Sequence, residues 1–151
     1  MSRRTVVIIA SLFVLGAAAV PVVAFVVVPQ LVRSTLVETA PAEGAVTLRS
    51  GELVRISAAD YGTGTVRIAQ TDTGKVLRFE NVDIAGAPDV YVYLSDRSDG
   101  QPGTFIDLGR LKATNGSFNY AIPTSADLGV VRSVVVWCRQ FNVTITYATL
   151  H

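Results

Sequence analysis

The chain has 151 residues, half of them hydrophobic and 17% charged, with a formal net charge of +1; it is too apolar for a disordered chain and has room for one small domain, not two. It holds one Cys, one His and one Met, the initiator. An intramolecular disulfide, a Cys/His zinc finger and any metal site needing two histidines are therefore excluded.

The apolar residues are unevenly placed. The first 32 positions contain 23 of them, and the remainder has ordinary globular composition. No charged residue lies between Thr5 and Val32. At about 1.5 Å rise per residue, this run exceeds the roughly 20 residues a helix needs to cross a bilayer. Arg3, Arg4 and the α-amino group precede it. The pattern predicts a cytoplasmic N-terminus at residues 1–4, one transmembrane signal anchor over 5–32, and an extracytoplasmic C-terminal domain on a single-pass membrane protein. A cleaved signal peptide is the competing reading, with Ala17-Ala18-Ala19 as an A-x-A-like site. Cleavage there would leave Val20 to Val32 as a new apolar N-terminus, and the run is longer than a signal h-region.

Residues 33–43 read as a linker, since Thr39, Pro41, Glu43 and Gly44 break any periodicity. The exported domain then spans 44–151. Its ten Lys/Arg balance its ten Asp/Glu without a basic run, so there is no electrostatic case for nucleic acid. Strand signals recur at short spacing. Leu53, Ile56, Val66, Ile68, Val76, Leu77 and Phe79 lie in short runs punctuated by Gly-containing turns, of which Asp60–Gly64 and Asp72–Gly74 are the first two candidates. Val90–Leu94, Phe105–Leu111 and Phe118–Ile122 follow. Val134–Cys138 is a continuous apolar run, and Phe141, Val143, Ile145 and Tyr147 then alternate with Asn142, Thr144 and Thr146. That period of two predicts one buried and one wet face. Six to nine short strands with no helical period predict an all-β domain, an antiparallel β-sandwich of Greek-key or jelly-roll type.

Enzymatic chemistry finds few carriers. His151 is terminal, which leaves His-based acid/base or Ser-His catalysis without a base. Asp96 and Asp99 lack the alternating order of a calcium loop and read as a polar turn. Cys138 remains. It reads either as a small buried hydrophobe or as a reactive thiol left unpaired in an oxidising compartment. Arg139 is its neighbour, but adjacent residues on a strand point to opposite faces, so neither Arg139 nor Trp137 need approach the sulfur.

Four segments in register carry a resemblance: Gly86-Ala87-Pro88-Asp89 before Val90–Leu94, Asp107-Leu-Gly109-Arg-Leu111, Gly116 with Tyr120-Ala-Ile-Pro123, and Val134–Cys138 with Phe141 and Ala148. Over roughly residues 51–150 the chain resembles the DM-thirteen domain family, with Ala87 interposed where that family runs Gly directly into Pro. The resemblance implies a β-sandwich-like domain in extracytoplasmic electron transfer, with Cys138 as the redox residue, acting as a bare thiol or as a ligand to haem. It also implies a redox partner protein, and an accessory module rather than a stand-alone enzyme. The residue inventory limits the cofactor. C-x-x-C-H and a His pair for copper are absent. Haem on a Cys138 thiolate would lack a second axial ligand other than water, His151 or another protein. A thiol relay through Cys138, with Trp137, Tyr91, Tyr93 and Tyr120 as nearby aromatics, fits the inventory better. The alternative is a non-enzymatic cell-surface binding module in which Cys138 and Trp137 only pack.

Overall fold

Residues 33–41 and 45–151 are described by the computed structural model. The expected membrane span at 5–32 lies outside them. Among the described residues no helix is long and apolar enough to cross a membrane. The chain forms β1 (Thr35–Val37), β2 (Val46–Glu52), β3 (Gly62–Thr71), β4 (Gly74–Ile84), β5 (Val90–Ser95), β6 (Phe105–Arg110), β7 (Asn115–Ile122), β8 (Ser133–Cys138) and β9 (Val143–Thr149). They make a five-stranded sheet in the order β1-β7-β4-β3-β2 and a four-stranded sheet in the order β6-β5-β8-β9. All pairings are antiparallel except β1 with β7.

The turns follow from residue type. Asp72 and Thr73 close the β3–β4 hairpin ahead of Gly74, whose φ of 139° a side chain would disfavour. The two sheets face each other across one core. Ile68, Leu77, Phe79 and Phe118 come from one side, and Val92, Leu94, Val134, Val136 and Cys138 from the other. The Phe79 and Phe118 rings stack at 5.1 Å. Every residue of β8 is buried, because the core covers one face and Tyr91, Tyr93 and Tyr147 cover part of the other. That two-sided burial is why its sequence is a continuous apolar run.

Two expectations need correction. Thr35–Val37, within the expected linker, pairs in parallel with Asn115–Ser117. The pairing is possible because Gly116 at φ 110° offers bare backbone to Leu36. The β9 alternation is also phased differently. A bulge against Val136 and Trp137 shifts the register. As a result Thr146 points into the buried side and bonds the Val54 carbonyl at 2.8 Å, while Tyr147 turns outward to pack with Trp137. Phe141 lies in the β8–β9 turn and is 55% exposed.

Candidate functional site around strand β8

Strand alternation separates the two residues of greatest chemical interest. Cys138 faces the core with no solvent exposure, and Trp137 faces outward. The Cys138 thiol donates to the Pro88 carbonyl at 3.0 Å. Pro88 belongs to the Gly86–Asp89 loop joining the two sheets. The loop turns at Asp89, whose φ of 56° lies in the left-handed region that Asp tolerates better than most residues. Ala87 is accommodated in that loop, partly buried against the core.

The outer face of the four-stranded sheet carries an aromatic cluster. Tyr91 stands directly across from Trp137, and Tyr147 across from Val135. Tyr93 stacks on Phe105 at 4.1 Å and lies 6.5 Å from Tyr91. Trp137 is 9% exposed, its ring enclosed by these neighbours. Arg139 caps the cluster. Its guanidinium sits 3.4 Å from the Tyr91 ring centroid, donates from Nε to Tyr93 Oη at 2.6 Å and pairs with Asp107. The bond to Tyr93, reinforced by Asp107, raises the Arg139 pKa. Asp89 accepts from Arg110 at 2.7 Å, and its carbonyl accepts the Arg139 N–H at 3.0 Å. The cation is therefore held on the opposite face of the strand from the sulfur.

The other motif residues form the frame of this end of the molecule. Asp107 accepts the Gly109 N–H at 2.8 Å. Tyr120 Oη accepts the Lys112 N–H at 2.8 Å and donates to the Arg110 carbonyl at 3.0 Å. Burial pushes the Tyr120 phenol pKa well up, the bond from Lys112 opposing the rise. Leu94 fills the core, and Gly116 seats β1. Pro88, Asp89, Asp107, Tyr120 and Cys138 thus converge through Arg110, Lys112 and Arg139. Phe141 stands apart on the surface. Sequence reasoning missed Arg139 as a hub and Tyr147 and Phe105 as partners. The i, i+2 tyrosines of β5 signalled an aromatic face, but its cross-strand members depend on register.

Asp96 and Asp99 are used within their own loop. Asp96 accepts the Thr104 N–H. A hydrogen bond from Arg97, aided by the Gln101 N–H, holds the Asp99 carboxyl down to about 2. No group of three metal-ligating side chains occurs among the described residues. Haem does not fit Cys138 in this arrangement. Axial ligation needs an open sulfur, whereas this one is enclosed and bonded to Pro88, and His151 is tied by its backbone to Ser50.

A family model described as Electron transfer DM13 matches residues 55–150. No curated protein and no solved structure matches the chain.

Proposed function

Because this chain belongs to the Electron transfer DM13 family, we propose that it is an electron-transfer module, carried outside the cytoplasm on its N-terminal apolar segment, with Cys138 as its redox residue and the outer aromatic face as its route to a redox partner protein. The observation that supports this reading most is the Trp137–Cys138 step. It puts an oxidisable indole in the outer cluster and, on the next residue, a thiol on the core face of the same strand. The sulfur then exchanges electrons without being exposed. A one-electron acceptor on the aromatic face withdraws an electron through Trp137; the thiol refills it as its proton passes by way of the Pro88 carbonyl to water, and a one-electron donor with proton uptake from water reverses both steps.

The test is one-electron oxidation of the full chain in detergent, followed by freeze-quench electron paramagnetic resonance, which needs no access to the sulfur. The expected result is an indole radical at Trp137, the single Trp, that decays quickly in wild type, persists in Cys138→Ser and is absent in Trp137→Phe. An indole radical that decays no faster in folded wild type than in Cys138→Ser overturns the relay. Maleimide provides the complementary measurement, and Cys138 is expected to react only after unfolding. The zero exposure of Cys138 also favours a second reading, a binding module in which the thiol only packs. In that case Cys138→Ser and wild type exchange electrons with a partner equally poorly. Resistance of the full chain to alkaline carbonate extraction tests the anchor.

A further inference from the structure

We propose that the end of the domain from which the N-terminal segment departs rests on the lipid surface, with the loop of residues 53–60 and the β8–β9 turn as its contacts. This rests on the anchored reading above. Arg33 directly follows the apolar run and is already fastened to the domain. It pairs with Asp83 and donates to Asn115 Oδ1 at 2.8 Å and Tyr61 Oη at 3.2 Å. Only Arg33 and Ser34 separate Val32 from β1. At roughly 3.3–3.6 Å per residue, two extended residues leave under about 10 Å between the run and the sheet. That short tether keeps this end of the domain close to the headgroups.

The surface presented there has the matching chemistry. Residues 54–59, Val-Arg-Ile-Ser-Ala-Ala, are all exposed. Ile56 is 48% exposed, and Arg55 stacks over Tyr61 at 4.6 Å with no carboxylate partner among the described residues. Tyr61 links this loop to the Arg33 attachment. An open depression of about 600 Å³ is lined by Val54, Arg55, Ile56 and Val143 together with Asp60 and Asp99, and exposed Phe141 lies two residues before Val143. Short apolar side chains beside an arginine suit the headgroup–acyl boundary, where the stems enter the apolar layer and the guanidinium meets phosphate.

The experiment places a fluorophore on the full chain at Ile56→Cys, Phe141→Cys or, at the far end of the β3–β4 hairpin, Thr73→Cys. Wild type carried through the same labelling reaction serves as the blank for Cys138. The chains are reconstituted into phosphatidylcholine vesicles with or without acyl-brominated lipid. The expected result is loss of most fluorescence at positions 56 and 141 on bromination and none at 73. Equal, weak quenching at all three positions in a carbonate-resistant chain overturns the proposal and leaves the anchor standing. A chain removed by carbonate overturns the anchor, and the proposal with it. Labels at 56 and 141 shielded from both brominated lipid and aqueous iodide identify a protein contact and overturn the lipid assignment.

Discussion

Tyr120 shows how one side chain shapes the candidate site. Its hydroxyl satisfies the Lys112 N–H and the Arg110 carbonyl at once, fixing the turn that follows Asp107 and Gly109. Tyr120→Phe leaves both backbone groups unpaired in a part-buried setting. Since an orphaned group costs about 1–3 kcal/mol, a stability loss in that range is expected from urea unfolding at neutral pH. The phenol pKa is raised in the folded state by burial. Its contribution is therefore fully present below the ordinary tyrosine pKa and declines as pH rises above it. Wild type should lose stability more steeply than Tyr120→Phe on the alkaline limb; parallel limbs would show that the phenol is not the titrating group. Cys138 and Trp137 were legible as opposite-facing neighbours because strand alternation is local. The sulfur's enclosure under Pro88 was not, because it depends on a loop fifty residues away. Arg139 was similarly hidden, since its partners lie on β5 and β6.

At the scale of elements, β1 is the least expected strand and the most easily detached. It is three residues long and edges the five-stranded sheet through a parallel pairing. A Cβ on Gly116 would meet the Leu36 carbonyl oxygen at 2.1 Å, and its φ of 110° adds backbone strain. Gly109 has a similar φ of 99° but open space around its Cβ position. Gly109→Ala should therefore cost only the conformational strain, about 1–2 kcal/mol. Gly116→Ala should cost more and release β1, which limited proteolysis within residues 33–41 would detect. Equal losses in the two variants would remove the steric account. Glu38 secures the end of the same strand, accepting the Asn119 N–H at 2.7 Å and Lys112 Nζ at 2.9 Å. Those bonds, the Asn119 one foremost, lower its pKa. Its stabilisation is complete above the ordinary glutamate value and fades as pH falls through the lower folded one. Protection of the β1 amides, referred to the intrinsic exchange rate at each pH, should fall in acid for wild type and already be low at neutral pH in Glu38→Gln. The longer strands were legible because period-two patterns, glycine turns and apolar runs are written locally. β1 was not, because a three-residue strand has no period to read and its partner is eighty residues away. The β9 phase was lost to a bulge, which leaves residue types unchanged while exchanging faces.

Across the whole molecule, one core serves both sheets, and the sheets also meet along an edge. Ser50 on β2 and His151 beyond β9 exchange backbone hydrogen bonds at 3.0 and 3.1 Å, and Val54 N–H donates to the Tyr147 carbonyl at 2.9 Å. Gly51 permits this approach, since a Cβ there would lie 2.1 Å from the Thr149 carbonyl oxygen. The contact covers one edge of each sheet, β2 and β9, that would otherwise be open to pairing with other chains. Gly51→Ala must push β2 and β9 apart, and the shared core carries that displacement into both sheets. Trp137 fluorescence reports the four-stranded sheet, and amide exchange at Leu77 and Phe79 reports the five-stranded one. Both transitions should shift together in the variant, because neither sheet keeps a buried face without the other. For a domain of about 100 residues, each 1 kcal/mol lost lowers Tm by roughly 4–8 °C, so the shift is resolvable by thermal scanning. Separation of the two transitions, with the Trp137 signal melting first and the Leu77 amides still protected, would mean that each sheet is stable alone and that the edge contact merely holds two units together.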